Sequence, residues 1–518
     1  MTVVSFSPFG FEGSLVTIEV DLRRGIPAID LVGLADNAVK EARERMRAAI
    51  RNSGYEFPLE RVLISLSPAD VKKEGAGFDL AIALAVLSAK NPQSLLSLDA
   101  SVRVLVMGEL ELSGRVRAVR GIHAAVSTAL EQGIAVCIVP KENEEEASCS
   151  ESVKVIAVET LSEAFTMFTN VSVDSLSAGR SKNLNTIIEE EGCIFPPVNA
   201  GEDFEEIKGL SFLVRGLQIA AAGAHNLIAY GPPGCGKTLA LQKFPSLLPQ
   251  LTTEEAQPVT RIYSLAGCMT NGERLIRRSP FRMPHQSASL EGLIGGGLHC
   301  RPGEVSLAHH GVLFLDEAAE FRSTVLQSLR VPLEEGYVTL SRAGRHTVFP
   351  AEFQLLLASN PCPCGNFGVE DKICVCPPRS VELYWKKFSS PLLDRIDIRI
   401  PVLQRGSSIL SSSQTPCSSS FLRTDIERAV NIQRQRQGKR NSRLRSEEIS
   451  GFCHLDAGVK EYLALESTVL GFSSRAVHSC IKLSRTIADM RGGVNISVED
   501  MREAVLYRKN EGGAGMLF

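Results

Sequence analysis

The chain is 518 residues long, past the size at which a single hydrophobic core keeps growing, and so predicts several domains. Its 44% hydrophobic and 22% charged residues exclude a disordered or fibrous chain and fit a globular one. A formal net charge of −3 excludes a global basic field, so nucleic-acid contact would have to come from local patches.

The opening MTVVSFSPFG has no basic stretch followed by an apolar one, and no apolar run reaches about 18 residues, so the expectation is a cytoplasmic protein with no membrane span. Residues 1–170 read as an α/β domain, with strands in the alternating runs 15–22 and 62–66. Between them, residues 36–54 predict a helix with Asp36 at its start and Gly54 just past its end. Residues 78–90 are apolar nearly all round and predict a buried helix. The acidic run 141–152 predicts a solvated loop, and the polar stretch 171–192 a linker. Residues 193–402 hold the nucleotide-binding signature, residues 403–423 a Ser-rich loop, and residues 424–511 an all-helical lid.

The signature is GPPGCGKT: Gly231, Pro232, Pro233, Gly234, Cys235, Gly236, Lys237 and Thr238. It follows a short apolar strand and opens a helix, the setting in which glycines let backbone N–H groups face phosphates without a clashing Cβ. Lys237 is expected to reach the β- and γ-phosphates of ATP, and the Thr238 hydroxyl to ligate Mg²⁺. Further on, GVLFLDE ends an apolar strand in two carboxylates. Asp316 is placed to hold Mg²⁺ and Glu317 to polarise the attacking water. A third apolar run, EFQLLLASN, ends in Asn360, an amide that can orient that water.

Four cysteines follow at once. Cys362, Cys364, Cys374 and Cys376 form two C-x-C pairs, a set that suits a structural tetrahedral Zn²⁺ stapling a short loop. Unliganded reduced thiols are the alternative.

Several long stretches carry a resemblance: MPHQSASLEGLIGGGLHCRPGEVSLAHHGVLFLDEAAEF, LRVPLEEGYVTLSRAG, FQLLLASNPCPCGNFG, SSPLLDRID and RTIADM. On these the chain resembles the magnesium-chelatase-like AAA+ ATPases of the YifB/ComM type. The resemblance implies an α/β architecture: a domain similar to the Lon protease domain and ribosomal S5 domain 2, an AAA+ P-loop core with a parallel sheet, and a helical C-terminal domain. It implies a homo-hexameric ring and a helicase that promotes branch migration in homologous recombination, with branched or single-stranded DNA as partner. Within such a ring Arg395 is the expected arginine finger to a neighbour, and Arg475 the expected cis-acting sensor.

Three basic regions are candidates for DNA contact. They are Arg274, Arg277, Arg278 and Arg282 in a long segment with a mobile-looking GLIGGG; Arg342, Arg345 and His346 at the tip of a hairpin; and residues 423–445, with eight Lys/Arg against two acids. Each is also what a solvated surface looks like. A protease is not expected, because the serine and lysine positions of the Lon-type dyad align with Gly77 and His123. A chelatase-type motor that remodels a protein partner and an ATP-dependent switch or scaffold are the remaining alternatives.

Overall fold

A computed structural model describes residues 2–34, 36–69, 71–73, 75–92, 102–150, 152–170, 193–199, 201–270, 272–297, 300–342, 345–367, 373–402 and 417–509. The expected linker 171–192 and most of the Ser-rich loop lie outside the described residues.

The N-terminal residues build a seven-stranded mixed sheet in the order β3-β4-β2-β1-β5-β6-β7. The strands are β1 (Thr2–Ser7), β2 (Ser14–Arg23), β3 (Ile29–Val32), β4 (Arg61–Ser67), β5 (Arg103–Val106), β6 (Val136–Pro140) and β7 (Lys154–Val158). Alternation along the strands gives the sheet two buried faces. Val3, Val104 and Val106 enter one core with helices α1 (Asn37–Asn52) and α2 (Asp79–Lys90), while Val4, Leu105 and Cys137 enter another with α3 (Ile122–Glu131). Helix α1 starts where expected, because the Asp36 carboxylate accepts the Val39 N–H at 2.8 Å. The acidic run is not a solvated loop. It folds into short helical turns and buries Glu146, which accepts from the His123 N–H at 3.1 Å and from Asn143 Nδ2 at 3.0 Å. A buried carboxylate is tolerable only with such donors.

The second sheet is five-stranded, in the order β9-β10-β13-β8-β14, and its pairings are parallel. Its strands are β8 (Leu227–Tyr230), β9 (Phe281–Arg282), β10 (Val312–Leu315), β13 (Gln354–Ser359) and β14 (Ile398–Pro401); β11 (Tyr337–Arg342) and β12 (Arg345–Pro350) form a separate antiparallel hairpin. Strands β8, β10 and β13 are buried at every residue, which explains why they read as unbroken apolar runs. Helix α4 (Ser211–Gly223) precedes β8, α5 (Thr253–Ala266) follows the phosphate loop, and α6 (Arg330–Glu335) leads into the hairpin. The C-terminal helices α7 (Ser419–Gln437) and α8 (Ser474–Arg491) join α4 in one cluster where Leu217, Ile426 and Ile487 lie, so lid and core share their interior.

Two local expectations change. Helix α7 opens before residue 424, with the Ser418 hydroxyl accepting the Phe421 N–H, so the last residues of the expected Ser-rich loop are helical. GLIGGG is less free than it reads: Leu290–Ile294 is helical and Gly295–Gly296 pairs with Arg301–Pro302. The pairing is so close that a Cβ on Gly295 would lie 2.6 Å from the Arg301 carbonyl oxygen. Among the described residues no helix is long and apolar enough to cross a membrane.

A loop of the N-terminal sheet grips the hairpin. The Phe11 N–H donates to Thr347 Oγ1 at 3.2 Å, and the Phe11 ring meets Phe349 edge-on at 6.2 Å. Arg261 on α5 lies over the same ring at 5.0 Å and donates to the Phe11 carbonyl at 2.8 Å. The approach requires Gly10, whose φ is +59° and whose added Cβ would sit 1.6 Å from Thr347 Oγ1. Gly10→Ala is therefore expected to destabilise the protein by about 2 kcal/mol, through left-handed backbone strain and overpacking together. Thermal melting checks this, and an unchanged melting temperature would mean that the loop is not pressed on the hairpin.

Candidate active site

Parallel register decides where the signature residues meet. Tyr230 pairs with Ser359 and Leu315 with Leu357, so the segments leaving β8, β10 and β13 emerge side by side at the C-terminal edge of the sheet. The phosphate loop, Asp316, Glu317 and Asn360 all begin there. Gly231 donates to the Ser359 carbonyl at 3.2 Å and has no room for a side chain, since a Cβ would lie 2.0 Å from the Val402 carbonyl oxygen. Gly234 and Gly236 have φ of +78° and +87°, the left-handed conformations that curl the loop.

Lys237 is buried and donates to the carbonyls of Gly231 and Pro232 at 2.7 and 2.8 Å, so the loop is wrapped around its own lysine. Thr238 directs its hydroxyl to Asp316 Oδ1 at 3.1 Å, and that oxygen also accepts the Glu317 N–H at 2.9 Å. A hydroxyl and a carboxylate this close are hard oxygen donors of the kind Mg²⁺ takes. Glu317 is exposed and left-handed at φ +46°, a strained conformation at the end of its strand.

Arg395 and Arg475 sit elsewhere. The Arg395 carbonyl accepts from Asn226, the residue before β8, at 2.9 Å, and Ser479 on α8 reaches Asp397, the residue before β14, at 2.6 Å. These contacts belong to the N-terminal edge of the sheet, a strand's length or about 13 Å from the phosphate loop. Arg475 is therefore not placed as a cis-acting sensor. Both guanidiniums converge on one carboxylate: Arg475 Nη2 lies 2.7 Å from Glu334 Oε1, and Arg395 bonds the other oxygen. Partial burial opposes ionisation of Glu334, but the two arginines hold its carboxyl below the ordinary range. A cavity of about 600 Å³ opens here, lined also by Arg443, Arg445 and Lys482. Nothing in the sequence marked Glu334, which stands in an ordinary LEEG run.

The cysteine loop packs directly on the phosphate loop. A Cβ on Gly365 would lie 2.7 Å from Pro233 Cδ, and Trp385 anchors the segment by donating to the Pro361 carbonyl at 3.0 Å. Cys362, Cys364 and Cys374 hold their sulfurs 3.4 to 3.6 Å apart, and with Cys376 all four lie within 4.8 Å of one another. The edge of a thiolate tetrahedron around Zn²⁺ is about 3.8 Å at the usual Zn–S length, so the four fit that ion.

Most of the arginines expected to face DNA are used internally. Arg274 pairs with Glu145 at 2.8 Å, Arg278 with Glu202 at 3.0 Å and Arg282 with Glu304 at 2.6 Å, while Arg277 donates to Thr253 at 3.0 Å. In and after α7, Arg436 clamps Asp489 at 2.7 Å, Lys439 pairs with Glu448 at 2.6 Å, and Arg440 and Arg443 donate to the carbonyls of Ala222 and Phe353 at 3.0 and 2.7 Å. The lopsided charge of residues 423–445 thus largely fastens the lid to itself and to the core. On the hairpin His346 is exposed; the side chains of Arg342 and Arg345 lie outside the described residues. In the N-terminal unit, Gly77 lies in a one-turn helix and His123 is buried, burial pushing its pKa down to about 4. Neither offers the hydroxyl or the amine of a peptidase dyad.

Three protein-family models match the chain: "Subunit ChlI of Mg-chelatase" over residues 18–143, "Magnesium chelatase, subunit ChlI" over residues 203–409, and "Magnesium chelatase, subunit ChlI C-terminal" over residues 417–508. The chain is 38% identical over 511 residues to the competence protein ComM of Haemophilus influenzae, covering 98% of this chain and 97% of that one. It is 37% identical over 510 residues to the uncharacterized protein YifB of Escherichia coli, at 96% and 95% coverage. The chain belongs to the magnesium-chelatase-like ComM/YifB family of AAA+ ATPases. A more distant match, 27% identity over 150 residues, links 28% of the chain to the Lon protease of Mesomycoplasma hyopneumoniae. As a member of the ComM/YifB family the protein binds and hydrolyses ATP.

Proposed function

We propose that this ComM/YifB-family ATPase works as a hexameric ring that spends ATP on moving DNA, promoting branch migration in recombination. One observation carries the ring: the phosphate loop stands at one edge of the sheet, and Arg395 and Arg475 at the other. One chain cannot complete its own site, so a neighbour supplies both cations to the developing phosphate charge. Within the site, Lys237 leaves the loop carbonyls for the β- and γ-phosphates, and Thr238 and Asp316 hold Mg²⁺. Bound there, that ion neutralises phosphate charge. Glu317 takes the proton of the attacking water, and Asn360 orients it.

The hairpin and the Leu290–Ile294 helix form the face that meets DNA. They lie together, with Leu340 Cδ1 only 3.3 Å from where a Gly295 Cβ would stand, so they would move as a unit. The N-terminal unit takes a Lon- and S5-like fold and braces that hairpin through Phe11. Cys362, Cys364, Cys374 and Cys376 hold a structural Zn²⁺ that fixes the backing of the phosphate loop. A chelatase-type motor acting on a protein partner is the second possibility, favoured by the three chelatase-subunit matches and by the internal pairing of so many arginines.

ATPase rates with single-stranded, duplex and forked DNA separate the two. DNA stimulation of severalfold, and strand displacement lost in Lys237→Ala and Glu317→Gln, are expected; flat rates on every DNA would leave the chelatase-type motor. Metal analysis of protein purified without added zinc should find about one zinc per chain. Its absence, with full ATPase activity, would return the cysteines to free thiols. Mixing inactive Lys237→Ala subunits with inactive Arg395→Ala subunits should restore hydrolysis, since each mixed interface can pair an intact phosphate loop with an intact arginine. A mixture as dead as its parts would refute sharing of the site.

A further inference from the structure

Two cations destined for a neighbour's phosphate are not idle in this chain. Arg475 gives Glu334 a charge-assisted hydrogen bond of 2.7 Å, and Arg395 gives it another. Among the described residues Glu334 is the one acid both share, and it sits on α6, three residues ahead of Tyr337, where the hairpin begins. Gly336 closes α6 at φ +76°, and its carbonyl accepts the Ala351 N–H at 2.7 Å, so α6 and both hairpin strands join at one point. Arg395 is held in a cramped seat. Its side chain is 12% exposed and its Nε finds no partner there, leaving a buried donor unsatisfied. The surrounding cavity adds Arg443, Arg445 and Lys482 against Asp394 and Asp397, so five cations face three carboxylates, and Glu334 is the one that bonds both arginines.

We propose that Glu334 is a latch and a positioning residue: it holds Arg395 and Arg475 while the neighbouring site is empty, and yields them to the γ-phosphate when ATP docks there. The proposal rests on the sharing of the site between subunits set out above. A terminal phosphate carries more charge and more acceptor oxygens than one carboxylate, and it suits the forked guanidinium at least as well, so the exchange runs toward the nucleotide. Release of Glu334 frees the end of α6. The hairpin, rooted on that end, thereby senses whether the neighbour is loaded. Glu334 touches no substrate, so its removal should act on the balance between held and released arginines, not on the chemistry itself.

The test uses full-length protein carrying Glu334→Gln, which keeps the shape and removes the charge, beside Glu334→Asp, which keeps the charge. Because the carboxylate competes with ATP for the arginines, Glu334→Gln should lower the KM for ATP by about threefold to tenfold, and Glu334→Asp should stay nearer the wild type. Hydrogen exchange gives the second readout. In the wild type a non-hydrolysable ATP analogue should raise exchange over Tyr337–Leu340, and in Glu334→Gln it should already be raised without nucleotide. An unchanged or higher KM in Glu334→Gln overturns the latch, as does hairpin exchange that ignores the substitution. A fall in kcat and melting temperature shared by both variants would show a merely structural acid, and also overturns it. Subunit mixing keeps the failures apart: if mixing restores no activity, the shared site falls and takes the latch with it, whereas restored activity with a wild-type KM in Glu334→Gln sinks the latch alone.

Discussion

A parallel sheet has two unlike edges, and everything in this molecule follows from which residues lie at which. Strands of four to six residues run side by side through the core, buried on both faces. Their C-terminal ends gather the phosphate loop, the acid pair and Asn360 by register alone. Their N-terminal ends gather Arg395, Asp397 and the start of α8, where Arg475 sits. A strand's length of packed interior separates the two groups, and a guanidinium cannot cross it. A second copy of the chain brings the edges together, which makes subunit association a chemical requirement of the proposed site and not an accessory to it.

Each edge is backed by a loop that the nucleotide motifs do not include. At the C-terminal edge the cysteine segment presses on Pro233, so the sulfur cluster and the phosphate loop are one packed unit. A metal there would stiffen a wall of the nucleotide site without touching nucleotide. At the N-terminal edge, α6 carries Glu334 against the two arginines and continues into the hairpin. The first device backs the phosphate loop, and the second ties the two cations to the hairpin.

The motifs that were legible in the sequence are those whose chemistry is local. The phosphate loop needs its glycines, lysine and threonine within eight consecutive residues, and the acid pair needs only an apolar strand before it. Helix α1 was legible for the same reason, since Asp36 caps its own first turn. Charge was not legible, because what an arginine does depends on a partner far along the chain. Arg282 finds Glu304 and Arg436 finds Asp489, and both would otherwise read as free cations on a basic surface. Arg475 misled in the same way. The resemblance implied a sensor of its own chain's nucleotide, but the sheet's polarity sends the helix that carries it to the far edge. The acidic run 141–152 failed on Glu146, whose burial depends on donors from His123 and Asn143 and on Ser264 of the next unit at 2.6 Å.

That last contact leads to the part of the chain with no motif at all. With no hydroxyl at Gly77 and no amine at His123, the N-terminal unit presents no Lon-type peptidase dyad at those positions. What it offers instead is a set of rigid contacts. Glu146 is tied to Ser264 and Glu145 to Arg274, while Phe11 is held between Arg261 and the hairpin strand at Thr347 and Phe349. The hairpin is thus gripped from two sides, by α6 with its arginine-bound carboxylate and by the Phe11 loop. If the hairpin responds to a neighbour's nucleotide as proposed, it needs a fixed frame to move against, since displacement of one end transmits force only when the other is anchored. The N-terminal unit supplies that frame, and Gly10, the one residue small enough to let Phe11 reach Thr347, is where the anchoring is decided.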